Sequence, residues 1–326
     1  MANYAVGVDF GGTKVLASVV DVKSGKIAGS AKIRTSLFDS GDALMDRIYD
    51  VVDGALKDAG MKAKETQGIG VGIAGQVNAE KGLLIDTANL SRSVVDLPMA
   101  SLLTKRYGVD AAIRNDVQIA AIGEHRFGAG KGIGDFICIF VGTGIGGAIV
   151  RNGELIPGAA GNAGEIGHTM LMADGRICGC GGRGHLEAYA SRTAITKAIL
   201  GDLRRGRKSI VTDLIDDLDP TAEHAAIRSG ILKKAVQKKD KVVIEAVSDA
   251  GKYLGMGLSS VVNFVNPQRI ILGGGVMESV DLLFEQAEYW TRREALPYAG
   301  EQVEIVRSKL GDFSGVVGAA VIAAGA

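Results

Sequence analysis

Alternating apolar and polar positions open the chain and predict three strands in its first forty residues. These are "YAVGVDF", "KVLASVVDV" and "KIAGSAKIRT", joined by a Gly-Gly turn and a Ser-Gly turn. The period then changes. Leu44, Ile48, Val51, Val52 and Leu56 recur at helical spacing and predict a helix over about 41–59. "GIGVGIAG" predicts a buried strand, 98–107 a short helix, and "VDAAIRND" a strand that ends by delivering Asn115 and Asp116 to the start of another helix. "DFICIFVGTGIGGAIVRNGEL" predicts a further hairpin. The stretches 185–208 and 213–250 predict exposed helices and loops, and a long helix over 241–265 should stop ahead of Pro267. "RIILGGGV" is a strand ending in Gly273, Gly274 and Gly275, and the small, apolar "SGVVGAAVIAAGA" is a last helix that must pack on something, here expected to be the first domain.

That further hairpin repeats the opening one. "VGVDFGGTKVLASVVD" and "ICIFVGTGIGGAIVRN" are both strand, glycine turn, strand, roughly 130 residues apart, the signature of an internal duplication. With 326 residues there is chain enough for two domains with separate cores. Lysine plus arginine and aspartate plus glutamate each number 37, so no net charge draws the chain to nucleic acid or to an anionic membrane. "RRGRK" at 204–208 is read as a solvated helix end. No apolar run is long enough to span a bilayer, and "MANYAVGVDF" runs straight into a strand without a basic leader. Three cysteines make no disulfide framework, so a reducing cytoplasm is the expected home.

Glycine is the residue in excess, at 47 of 326. That is about twice the usual share and implies many close backbone approaches. Two strings fit G-x-G-x-x-G, at Gly70-Gly72-Gly75 and Gly142-Gly144-Gly147. A dinucleotide fold needs a helix directly after such a loop. Here "QVNAEKG" and "AIVRNGEL" follow, a turn and a strand. "GAGKGIG" lacks both the first glycine of a Walker loop and the hydroxyl residue after Lys131. The turns in "DFGGTK" and "GTGIGG" suit a different anion site, in which bare backbone N–H groups face phosphate oxygens and Thr13 and Thr143 add hydroxyl donors. Asp9 at the strand end suits a magnesium ion held through water. Lys14 is a phosphate partner or simply exposed. Asp116 is a general base or a helix N-cap. "CGCGG" sets Cys178 and Cys180 one residue apart, a spacing that strains a disulfide and leaves metal binding or free thiols open. Cys138, inside "FICIF", is a small buried hydrophobe, and His125 and His224 carry no partner pattern.

"DFGGTK", "RNDVQIAAIGE", "VGTGIGG", "GEIGH", "CGCGGRGHLEAYAS" and "ILGGGV" stand in the order found in the ROK family of bacterial sugar kinases and repressors, which the chain resembles over nearly its whole length. The resemblance implies an α/β fold of two actin-like (RNase H-like) domains around a central cleft. Residues 1–117, joined by a C-terminal helix at about 312–326, would form the first; 118–311 would form the larger second, with a zinc loop. ATP and magnesium would lie on Asp9, Gly11, Gly12, Thr13, Lys14, Gly142, Thr143, Gly144, Gly146, Gly273, Gly274 and Gly275. Asp116 would be the catalytic base, and Asn89, Asn115, Asp116, Glu165, His168 and Glu187 would line the sugar. Two positions depart from the family pattern: Gln118 stands where Asn is usual and Asn78 where Asp is usual. Family members place a histidine, then Cys-x-Cys, then a third cysteine before the glutamate. His185 takes that third place here, so the resemblance implies structural zinc on His168, Cys178, Cys180 and His185. The implied activity is ATP-dependent phosphorylation of a hexose, glucose first, with mannose, fructose, allose or an N-acetyl hexosamine as alternatives. A ROK repressor would carry a DNA-binding helix-turn-helix ahead of the first hairpin, where this chain has three residues before "YAVGVDF". A homo-oligomer, most simply a twofold dimer, is expected.

Overall fold

A computed structural model of the chain describes residues 3–12, 14–35, 40–87, 91–216, 218–221 and 226–325, with backbone alone at 91–93. Its described strands are β1 (Tyr4–Phe10), β2 (Lys14–Asp21), β3 (Ile27–Arg34), β4 (Ile69–Ile73), β5 (Gln76–Asn78), β6 (Leu83–Thr87), β7 (Ser91–Leu97), β8 (Ala111–Asn115), β9 (Phe136–Val141), β10 (Ile145–Arg151), β11 (Glu154–Ile156), β12 (Arg269–Gly273) and β13 (Glu304–Arg307). They form two five-stranded sheets, ordered β3-β2-β1-β4-β8 and β11-β10-β9-β12-β13. Counted within its own half, each sheet reads 3-2-1-4-5. The duplicated hairpins β1–β2 and β9–β10 thus occupy equivalent places in equivalent sheets, and the fold is the two-domain actin-like α/β fold. A small third sheet, β5-β6-β7, follows β4. Nothing in the periodicity of 76–97 announced it, because its strands are short and partly exposed.

By contacts the chain divides into one unit of residues 1–138, 148–164 and 308–326 and another of 139–147 and 165–307. In the first, β1 pairs antiparallel with β2 and parallel with β4, and β4 pairs parallel with β8. The helix Gly41–Asp58 lays Leu44, Ile48, Val51, Val52 and Leu56 into the core over this sheet, and Ser40 caps it by accepting from the Ala43 N–H.

The helix Ser314–Ala323 belongs to this unit and explains many of its glycines. A Cβ on Gly70 would fall 1.8 Å from the Ala319 carbonyl oxygen, and one on Gly318 would fall 1.7 Å from that of Ile119. Strand and helix meet backbone to backbone. The string Gly70-Gly72-Gly75 therefore serves packing, since Cβ atoms at Gly72 and Gly75 would likewise meet Ile119 and the Asp86 carbonyl. Val316, Val317 and Val321 are buried in the same contact, each contributing roughly 1.5–3 kcal/mol.

Glu124, on the helix Asp116–Phe127, is fully buried yet satisfied. Its Oε1 accepts from Ser308 Oγ (2.7 Å), Ser314 Oγ (2.7 Å) and the Leu310 N–H (2.9 Å). Its Oε2 accepts from the N–H groups of Ala129 (2.7 Å) and Lys309 (3.1 Å). One carboxylate thus fastens the segment that leads into the last helix.

In the second unit the helix Lys241–Val265 ends at Asn266, whose left-handed φ of 51° caps it. Exposure was overestimated for 185–208. The helix Arg192–Arg204 buries Ala194, Ile195, Thr196, Ile199 and Leu200, a stripe hidden in the sequence by its interleaved charges.

Candidate active site

In the first unit, β1 and β8 flank β4, and their ends carry Asp9 and Asn115-Asp116. The turn after Asp9 closes by a hydrogen bond from the Gly11 N–H to the Lys14 carbonyl (3.0 Å). Burial lifts the Asp9 carboxyl to a pKa of about 7; Asp116 raises it further, Lys14 opposes, and Asp312 adds a smaller push upward. Helix Ser314–Ala323 comes so close that a Cβ on Gly315 would lie 2.7 Å from the Asp9 Cγ. Lys14 is ion-paired with Asp312.

The two readings of Asn115-Asp116 separate here. Asn115 is the N-cap: its Oδ1 accepts from the N–H groups of Val117 (2.9 Å) and Gln118 (3.3 Å), while its Nδ2 donates to the Gly75 carbonyl (3.3 Å). Asp116 follows as the first helical residue, with Oδ1 accepting from its neighbour Val117 N–H at 3.0 Å. Of the two departures from the family pattern, Gln118 donates to the Gly161 carbonyl (2.8 Å) and Asn78 accepts from the Lys81 N–H (3.0 Å). Thr13, Asn89 and His224 lie outside the described residues.

In the second unit, the turn between β9 and β10 closes through the Gly142 N–H and the Gly144 carbonyl (2.9 Å). Glu187 holds this turn from outside. Its Oε2 accepts from the Ile145 N–H (2.9 Å), and a Cβ at 144 would be 2.2 Å from that oxygen, so any larger residue there would displace the carboxylate. The other oxygen, Oε1, accepts from Cys178 Sγ at 3.4 Å. One carboxylate therefore ties the glycine turn to the cysteine loop. Gly274, at φ +94°, sits where a Cβ would be 2.5 Å from the Val141 carbonyl, so the chain just after β12 packs beside the end of β9. Glu165, just ahead of the short helix Ile166–His168, is pushed up in pKa by burial, against the pull of His168 and with help from Glu187.

Four side chains from the cysteine loop converge. The donor atoms of His168, Cys178, Cys180 and His185 all lie within 4.8 Å of one another. Cys180 Sγ is 3.2 Å from His185 Nδ1, and Cys178 Sγ is 3.8 Å from His168 Nδ1. Tetrahedral zinc, with bonds of about 2.0–2.3 Å, asks for donor separations of this size, and two imidazoles with two thiols suit its borderline softness. Burial pushes the Cys178 thiol up to about 12, with Glu187 adding to the push, so a metal there would displace a proton.

Sequence reasoning passed over two residues beside the glycine turn. Arg192 donates from Nη2 to Thr143 Oγ1 (2.8 Å), and Thr193 Oγ1 donates to the Thr143 carbonyl (2.7 Å). "SRTA" reads locally as a capped helix start, which it also is. Only the fold reveals the turn beside it.

Residues 5–326 match the family described as ROK. The chain is 31% identical to the glucokinase of Halalkalibacterium halodurans over 314 residues, covering 96% of this chain and 92% of that protein. It is also 30% identical over 277 residues to the DNA-binding transcriptional dual regulator NagC of Escherichia coli, covering 85% of this chain and 64% of the regulator. Among solved structures it is similar to a ROK family glucokinase from Streptomyces griseus in complex with glucose and AMPPNP, with a TM-score of 0.87 and 30% identity over 99% of this chain and 100% of that one. The chain belongs to the ROK family.

Proposed function

We propose that this chain transfers the terminal phosphoryl group of ATP to a hexose, glucose first. The observation that carries the reading is the carboxylate pair at two strand ends of one sheet. Asp116 is near enough to Asp9 to raise its pKa, while the helix cap that would otherwise explain Asp116 is supplied by Asn115. Residues 1–117 with 312–326 would form one working half and 118–311 the other. Likeness to the Streptomyces griseus glucokinase, seen with glucose and AMPPNP, supports both substrates.

Asp116 accepts the proton of the attacking primary hydroxyl as the bond to phosphorus forms, the base such a transfer requires. Asn89, Asn115, Glu165, His168 and Glu187 pair with the remaining hydroxyls, which both donate and accept. Asn115, already capping a helix, has least to spare. Backbone N–H groups at Gly12, Gly144 and Gly146, with Thr13 and Thr143, receive the phosphates in turns that the Gly11 and Gly142 N–H groups hold closed, and Gly273 to Gly275 leave room for the nucleoside. Asp9 fits a magnesium ion, because a hard oxygen donor strained by a neighbouring carboxylate gains from a cation. Magnesium, when bound, neutralises charge on the transferring phosphate. His168, Cys178, Cys180 and His185 would hold zinc, which fixes the 168–187 loop. His168 then has its second nitrogen for a sugar hydroxyl.

No helix among the described residues is long and apolar enough to cross a membrane. An ADP-coupled assay over glucose, mannose, fructose, allose and N-acetyl hexosamines tests the proposal. Turnover is expected, with the highest kcat/KM for glucose. No turnover of any sugar would overturn it, and preference for another hexose would move the substrate alone.

A further inference from the structure

The glycine turn 142–144 has its carbonyls committed inward. The Gly142 oxygen accepts from the Arg192 N–H (2.9 Å), the Thr143 oxygen from Thr193 Oγ1 (2.7 Å), and the Gly144 oxygen from the Gly142 N–H (2.9 Å). What remains to face outward is donors. Thr143 Oγ1 already accepts from Arg192 Nη2, so its own proton points to some other acceptor. The Arg192 guanidinium has five N–H groups, and one of them is used in that contact. A Cβ placed on Gly142 meets nothing within 4 Å, so the turn opens onto free space.

Arg192 is also a cation without a described counter-charge. Among the described residues, none of the ion pairs includes it. Burial lowers its pKa from the ordinary arginine value. A half-buried guanidinium forgoes part of its hydration, and that cost is ordinarily offset by an anion. Lys14, the lysine singled out in the sequence, is engaged by Asp312. The second unit thus offers a cation beside its phosphate turn that the first holds in an ion pair.

We propose that Arg192 binds the phosphate chain of the nucleotide, directly through its free N–H groups and through Thr143, whose hydroxyl it turns outward as a donor. This rests on the kinase reading and adds to it the residue that supplies positive charge. A planar fork of donors suits two phosphate oxygens at once, a geometry a lysine cannot reproduce.

Calorimetry on the full chain, with AMPPNP, inorganic tripolyphosphate and AMP as probes, tests it. Arg192→Ala should weaken AMPPNP and tripolyphosphate at least tenfold, as expected for lost hydrogen bonds to a charged group, and leave AMP within threefold. Arg192→Lys should fall between, and Thr143→Val, which keeps the guanidinium, should weaken AMPPNP about threefold to tenfold. Should Arg192→Ala fail to give the wild-type circular dichroism spectrum, the Lys and Val variants carry the test. AMPPNP bound by the variants within twofold of wild type would overturn the inference, as would an equal loss for AMP. The two readings fail separately. Wild-type protein that binds AMPPNP but phosphorylates no sugar sinks the kinase reading and leaves the Arg192 comparison valid; an active enzyme indifferent to Arg192 does the reverse.

Discussion

Replacing Glu124 by glutamine changes one atom at the centre of the first unit and should be severe. Five donors converge on two carboxylate oxygens there, three on Oε1 and two on Oε2. A glutamine oxygen can satisfy one set, but its amide nitrogen must then face either the Ala129 and Lys309 N–H groups or the Leu310 N–H beside two hydroxyls that can turn to accept. One or two buried donors left unsatisfied, at about 1–3 kcal/mol each, cost roughly 1–6 kcal/mol. Burial alone would raise the Glu124 pKa, but the donors, led by Ala129 and Ser308, outweigh it and hold the carboxyl below its ordinary value. The sign of the pH dependence follows. A depressed carboxyl contributes its stability fully above the unfolded value of about 4.3 and loses it as pH falls through the lower folded value. Urea unfolding at pH 7 should therefore show Glu124→Gln destabilised by about 1 kcal/mol or more, with the gap from wild type shrinking below about pH 4. Hydrogen exchange should quicken in 308–316, which the carboxylate fastens, before the sheets respond. A variant within 1 kcal/mol of wild type at pH 7, or a gap that does not change with pH, would refute the reasoning.

Cys180→Ala should release zinc and raise the sugar KM several-fold while nucleotide affinity holds, and His185→Cys should keep both metal and activity; metal analysis showing well under one zinc per chain in fully active wild type would sink the site. Asp9, with a pKa of about 7, is protonated as pH falls below that value, so apparent magnesium affinity should drop about tenfold per unit at lower pH and level off above 7.5; a magnesium dependence flat from pH 6 to 8 would remove Asp9 from that role. Sedimentation at micromolar concentration should give a dimer, and a particle at the 33.8 kDa of one chain would contradict it.

Much of the scaffold was legible because its signals are local. The two hairpins, the strand ends at Asp9 and Asp116, and the long helix from 241 to 265 each follow from periodicity and breakers within one window, and the duplication from setting the two hairpins side by side. The cysteine pair alone left metal binding or free thiols open; the set of His168, Cys178, Cys180 and His185 was implied by the family resemblance, and the fold brings its four donors within 4.8 Å of one another. What stayed hidden depends on the partner across the fold. Gly70 looks like part of a nucleotide loop until Ala319 is placed against it. Glu124 looks like an ordinary exposed helix acid until residues 308–314 arrive from the far end of the chain. Arg192 looks like a solvated first-turn residue until the 142–144 turn is beside it. Asn115 and Asp116 could each have been the cap, and only coordinates decide which side chain accepts from Val117 and Gln118 together.

The central claim is phosphoryl transfer to a sugar with Asp116 as the base. Phosphorus NMR of ATP, magnesium and glucose with wild-type protein and with Asp116→Asn tests it most directly, since transfer and hydrolysis give different resonances. The account predicts glucose 6-phosphate and ADP in equal amounts from the wild type, with inorganic phosphate a minor product. It also predicts a rate about 10²–10⁴-fold lower from the variant, at nearly unchanged glucose affinity. Inorganic phosphate in place of the sugar phosphate, or a variant that keeps more than half the wild-type rate, would contradict it.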